Sequence, residues 1–356
     1  MAELYTSDTK SALEAITDAH KIAFAPYIFQ ATVALDGLGI LGAVDQAKEE
    51  GVSVDKVAQQ LGLSRYGVSV LLDAGLSIGL VYKQGGAFKL TKAGHFLLHD
   101  QMTRVNFEFS RDFSYRGLEK LMSSIQTGVP EGLKEYSEEK TIYPILSSLP
   151  EPAKASWFNF DHYFSDSAFP EVLPIIFEQP VKRLLDCGGN TGKFALSCVA
   201  YDENVNVTIL DLPQQLALMK ENIANKTGKD RIDGQPYNFL ALEGGLPEGA
   251  DVIWMSQFLD CFSEEEIERI LKKAAAAMSD STRLCILETF WDRQNYEAAA
   301  LSINCTSLYF SCFANGNSRM YESDVFKNIV QRAGLTIDKS IDHIGKGHSL
   351  VVCRKA

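Results

Sequence analysis

The sequence has no C-x-x-C pair, and no histidine stands at ligand spacing from any of its seven cysteines, at 187, 198, 261, 285, 305, 312 and 353. That argues against a Cys/His metal site and against a disulfide scaffold, and leaves most of the cysteines as small buried apolar residues. No run of about 18 apolar residues occurs, so no membrane-spanning helix is expected. The first residues, MAELYTSDTK, include acids and no apolar stretch, so they do not read as a signal peptide, and a cytoplasmic location is expected. Positive charge is short: 34 Lys and Arg stand against 46 Asp and Glu, a formal −12. An acidic surface repels phosphate backbones, which points away from nucleic acid and toward a small-molecule partner.

What is present falls into two patterns. The first hundred of the 356 residues carry apolar positions at helical spacing. VDKVAQQLGLS followed by RYGVSVLLDAGLSIG reads as two helices joined by a turn, and LVYK-QGG-AFKLT as a hairpin. Helix-turn-helix plus hairpin predicts a winged helix over 1–100. A DNA-reading helix should present several basic or amide side chains, and this one offers only Arg65 before turning apolar, so packing or dimerisation is the expected role. Residues 101–175 read as a helical connector, rich in aromatics, that contributes to a substrate pocket.

From about 176 to 356 strands alternate with helices. VKRLLDCGG, VNVTILD, PYNFLAL, DVIWMSQ and TRLCILETF read as five parallel strands, and LTIDKSIDHI-GKG-HSLVVCRK as a closing antiparallel hairpin. The expected fold class is α/β: a Rossmann-like, mostly parallel sheet with an antiparallel edge, behind a helical N-terminal domain.

Ligands of such sheets bind beyond the carboxyl ends of the strands. The first strand ends in LLDCGGNTGKF, where Gly188, Gly189 and Gly192 permit close backbone approach and Asn190 tolerates left-handed geometry. Asp211 ends the second strand, where a carboxylate suits a ribose diol. NAD and S-adenosylmethionine both carry such a ribose. The order D-x-G-G-x-x-G departs from the dinucleotide fingerprint and puts Asp186 two positions before the first glycine. A carboxylate there opposes a diphosphate and favours a sulfonium cofactor with an α-amino group.

LLDCGGNTGKF together with ILDLP resembles the S-adenosylmethionine-dependent O-methyltransferases of the plant caffeate and acetylserotonin type and their bacterial relatives. The likeness extends to the N-terminal segment, to PEGADVIWMSQFLDCFSEEE and to GNSRMYESDVFKNIVQRAGL. It implies a class I methyltransferase fold, a winged-helix dimerisation domain, a homodimer and S-adenosyl-L-methionine as cofactor. By position it implies cofactor contacts at Gly188, Gly189 and Asp211, with Leu212, Ser256 and Gln257 flanking them and Glu243 as the acid after strand three.

The family pattern after strand four places a histidine base where this chain has Asp260. Glu288, 28 positions on (288 − 260), stands where the family keeps a glutamate that orients the histidine. A second orienting glutamate is replaced by Ser318. Three readings follow: Asp260 is a base with a pKa raised by burial and by Glu288; the two carboxylates only orient an acceptor that is already nucleophilic; or Asp260 has no chemical role. His162, in SWFNFDHYFSD, is the reserve base. The expected reaction is methyl transfer to a small hydroxylated aromatic acceptor. N-methylation, a non-methylating enzyme on the same scaffold and a ligand-sensing regulator are the alternatives.

Overall fold

The computed structural model describes residue 5 and residues 7–356. They form two compact units that divide between Arg111 and Asp112.

The N-terminal unit is built from α1 (Ala12–Ala23), α2 (Ala25–Gly37), α3 (Ile40–Gln46), α4 (Val54–Leu61), α5 (Arg65–Ile78), strands β1 (Val81–Gln84) and β2 (Ala87–Leu90), α6 (Lys92–His99) and α7 (Gln101–Glu108). Local chemistry sets the starts. Ser53, Ser64 and Thr91 each accept a hydrogen bond from the backbone amide three residues on, which caps α4, α5 and α6. Leu35, Ile40, Leu41, Val57, Val68, Leu72 and Phe88 fill one core. Arg65, the one basic residue opening α5, is exposed and pairs with Asp55 at 2.8 Å.

The larger unit opens with helices and short turns, among them α8 (Leu121–Thr127), α9 (Ala153–Ser165) and α10 (Phe169–Ile176). The alternating part follows: β3 (Arg183–Cys187), α11 (Lys193–Tyr201), β4 (Asn206–Asp211), α12 (Pro213–Ile223), β5 (Ile232–Pro236), β6 (Val252–Ser256), α13 (Glu264–Ala277), β7 (Arg283–Glu288), α14 (Glu297–Tyr309), α15 (Ser323–Arg332), β8 (Leu335–Ile344) and β9 (His348–Lys355). The seven strands lie in the order β5-β4-β3-β6-β7-β9-β8. The first five run parallel, and β9 is antiparallel to both β7 and β8. The chain winds outward from β3 in one direction and restarts at β6 in the other, so the switch point lies between the ends of β3 and β6. Two apolar cores cover the sheet faces, one against α13 and α15, the other against α10, α11 and α12.

One strand is displaced from its expected place. PYNFLAL is not the third strand; β5 lies ahead of it and takes in only its first residue, Pro236. Asn238 accepts the Leu240 amide on its own side chain at 3.0 Å, a local turn that competes with a ladder. The segment chosen instead contains Gly234, where a Cβ would stand 2.8 Å from the methyl of Met219, so close helix packing selects it over hydrophobicity.

His348 opens β9 fully buried, and neither ring nitrogen has a hydrogen-bond partner of normal geometry among the described residues. Burial lowers its pKa from 6.5 to about 4. The unfolded chain therefore takes up a proton near pH 6.5 that the native state refuses until about pH 4. Stability is lost as pH falls through that window, by about 2–3 kcal/mol at pH 4.5. Urea unfolding of His348→Leu at pH 7 and 4.5 should show that much less acid sensitivity than the parent; an unchanged pH dependence would remove His348 from the account.

Candidate active site

The loop after β3 is shaped by glycine. Gly188 has φ +75°, and a Cβ there would overlap the Phe258 ring. At Gly189 a Cβ would stand 2.7 Å from Asp186 Oδ2. Asn190 follows with φ +46°, and its backbone amide donates to Asp211 Oδ2 at 2.9 Å. Gly192, φ +77°, begins α11. The other Asp211 oxygen accepts the Leu212 amide at 2.7 Å. The end of β4 thereby holds the turn at the end of β3.

An open cleft of about 560 Å³, solvent-filled mouth included, lies at the switch point. Asp186, Gly188, Gly189, Asn190, Ser256 and Gln257 line it, and so does His162 from α9. Two wall atoms are buried acceptors with no partner among the described residues, Asp186 Oδ2 and Gln257 Oε1. Asp186 is 2% exposed, and burial, with the Asp211 charge, pushes its pKa up to about 8. Unpaired acceptors beside a carboxylate call for a cationic donor. An ammonium group is a donor of that kind. Glu243 is exposed in the loop after β5 and is not part of the cleft wall; Asn238, directly after Tyr237, stands nearer the end of that strand, where the Tyr237 amide donates to the Asp211 carbonyl at 2.9 Å.

Gly188→Ala should weaken S-adenosylhomocysteine binding at least tenfold by calorimetry. The methyl would meet Phe258 at a backbone angle that costs an L-residue about 1 kcal/mol or more. Unchanged affinity would place the cofactor elsewhere.

A second group of polar side chains lies past β6. Leu259–Cys261 form one short turn, with Asp260 5% exposed. Cys261 Sγ donates to Asp260 Oδ1 at 3.5 Å. Burial pushes Asp260 up to about 7, and the Asp161 charge adds to the rise. Glu288, the last residue of β7 and 2% exposed, accepts the amides of Phe258 at 3.0 Å and Leu259 at 2.8 Å through Oε1. Its Oε2 has no hydrogen-bond partner among the described residues. Burial, then the Asp260 charge, raises its pKa well above the carboxylate range. Burial thus favours the protonated form of both carboxyls, and they titrate as a pair. Ser318 takes no part in carboxylate chemistry. Its hydroxyl donates to Asn315 Oδ1 at 2.9 Å, and Asn315 Nδ2 donates to the Cys261 carbonyl at 2.6 Å.

Sequence reasoning passed over Asp161 and the phenols. Asp161 lines the cofactor cleft beside His162 and acts electrostatically on Asp260, so it faces both parts of the site. The Tyr143 hydroxyl is buried, and its pKa is raised well above normal by burial, with Cys261, Tyr309 and Asp260 adding to it. Tyr309 accepts a hydrogen bond from Trp157 Nε1 at 3.0 Å. The one available signal was the aromatic density of SWFNFDHYFSD, which contains both Trp157 and Asp161.

Two family profiles match the chain: a Dimerisation2-like domain over residues 17–88 and an O-methyltransferase domain over residues 169–336. The L-tyrosine C(3)-methyltransferase of Streptomyces lavendulae is 21% identical over 86% of this chain and 84% of its own. The 3-hydroxy-5-methyl-1-naphthoate 3-O-methyltransferase of Streptomyces sahachiroi is 25% identical over 70% and 72%. Among solved structures, the apo form of the S-adenosylmethionine-dependent methyltransferase SibL superposes with a TM-score of 0.71 at 21% identity, over 94% of this chain and 98% of that one. The sheet order, the cleft and these matches define an S-adenosylmethionine-dependent methyltransferase of class I. Residues 169–336 match the O-methyltransferase domain family.

Proposed function

We propose that the protein transfers the methyl group of S-adenosylmethionine to a small hydroxylated aromatic acceptor, with Asp260 as the base. The observation that carries this reading is the buried carboxylate of Asp260, lifted to about 7, among Tyr143, Tyr309 and Cys261 and within electrostatic reach of a cleft residue. The substrates in the names of the two relatives, a tyrosine and a hydroxynaphthoate, support an aromatic acceptor.

Asp186, Gly188, Gly189, Asn190, Asp211 and Gln257 would hold the cofactor, which supplies an electrophilic methyl on sulfur. Displacement at that carbon needs an oxygen nucleophile held in line. A phenol near pKa 10 is mostly protonated at neutral pH, and an ionised Asp260 takes its proton as the oxygen–carbon bond forms. Glu288, by holding the Phe258 and Leu259 amides, fixes the turn that presents Asp260. His162 sits on the cofactor side of the site and is a wall residue in this scheme. The N-terminal unit is proposed as a winged-helix dimerisation domain, the protein as a cytoplasmic homodimer. The Dimerisation2-like match and the helix–turn–helix–hairpin order support that assembly.

The test is a mass-spectrometric assay of methyl transfer to a panel of phenols, phenolic acids and arylamines. Product with phenolic acceptors is expected. Methylation of arylamines alone, with cofactor bound, would overturn the choice of acceptor.

A further inference from the structure

Outside the active site, one group of side chains on the N-terminal unit has the composition and convergence of a metal site. Among the described residues, ligand atoms of Asp45, His95 and His99 all lie within 4.8 Å of one another. His95 and His99 are four residues apart on α6, which puts both imidazoles on one face of the helix. Their ring centroids are 4.6 Å apart. Asp45 comes from α3, 50 positions earlier (95 − 45), and its Oδ2 is 2.9 Å from His99 Nε2. No sequence spacing rule links residues so far apart, so only the packing of α3 on α6 exposes the group.

We propose that Asp45, His95 and His99 bind a divalent transition-metal ion of the zinc type. Two imidazoles and a carboxylate form a donor set that suits Zn²⁺, Co²⁺ or Ni²⁺ and disfavours Mg²⁺ and Ca²⁺, which take oxygen ligands. Zinc bonds of about 2.0–2.2 Å place tetrahedral ligands about 3.3–3.5 Å apart, so the ring atoms close in by small rotations of exposed side chains. The local field favours a cation. Asp45 and His99 both lie in the last turn of their helices, where the backbone carbonyls carry the negative end of the helix dipole. Three protein ligands leave a fourth position for water. The bound ion would clip α3 to α6 and stabilise the folded unit by linkage.

The experiment uses the full-length, untagged chain, with Co²⁺ followed by visible absorption and Zn²⁺ by calorimetry and thermal unfolding. Titration of His95→Ala, His99→Ala and the double variant alongside the parent separates this site from the free thiols. One Co²⁺ with ligand-field bands of a nitrogen–oxygen site is expected, binding at least tenfold more weakly in either single variant. Zn²⁺ should raise the unfolding temperature of the parent and not of the double variant. Binding that is equal in parent and double variant, or a cobalt spectrum dominated by thiolate charge transfer, would overturn the proposal. So would the absence of binding by the parent, with His99 and Asp45 then a plain surface pair.

Discussion

Asp260→Asn is expected to lower the turnover number by about 10²–10⁴-fold, the usual worth of a positioned general base, with little change in S-adenosylmethionine affinity. Asparagine keeps the shape of the side chain and can still accept from the Cys261 thiol, so the turn should survive. What it loses is the ability to take a proton. The parent adds a pH signature. A carboxylate lifted to about 7 works as a base only when ionised, so kcat/KM should rise with pH through about 7 and level above it. The variant should be low and flat across that range. Loss of activity with the limb retained would move the base elsewhere, and His162→Ala is then the informative variant. A parent-like rate would leave Asp260 with no part in proton transfer.

The chemistry behind this expectation is a substitution of one base type for another. An imidazole titrates near neutrality without help, whereas an aspartate near 3.9 must be moved. Burial supplies most of the movement here, and the Asp161 charge adds to it. Keeping Asp260 at 5% exposure is therefore part of its function: water reaching the turn would return the carboxylate to its ordinary, weakly basic state.

These features differ in how far the residues announce them. Most of the sheet was legible because its strands, β5 apart, carry apolar runs bounded by turn signals, and the βα alternation permits few orders. The glycine loop was legible because positive φ and close approach leave a composition mark. PYNFLAL misled because apolar content counts for less than the local turn made by Asn238 and the close packing at Gly234. Glu243 is the acid the sequence offers after the third strand, and the chain carries it into an exposed loop. Asp161 and Tyr143 come from segments far from β6, and only tertiary packing brings them to Asp260. The exchange of a carboxylate for an amide–hydroxyl pair at Asn315 and Ser318 could not be foreseen either. It depends on Asn315 reaching the Cys261 carbonyl across the fold.

Two substitutions at Glu288 should part company, and their contrast decides what that residue does. Glu288→Ala leaves the buried amides of Phe258 and Leu259 without an acceptor, at a cost of about 2–4 kcal/mol, and frees the turn that carries Asp260. Denaturant unfolding should show the loss, and activity should fall at least as far as in Asp260→Asn. Glu288→Gln keeps a carbonyl oxygen where Oε1 accepts both amides, and it resembles the protonated acid. Burial and the Asp260 charge favour the protonated acid at Glu288, which the neutral amide imitates. Stability should change by less than about 1 kcal/mol, turnover should stay within a few-fold of the parent, and the pH limb should remain near 7. A limb that moves down by a full pH unit or more would show that Glu288 is ionised in the parent. The raised pKa of Asp260 would then owe more to a second negative charge than to burial.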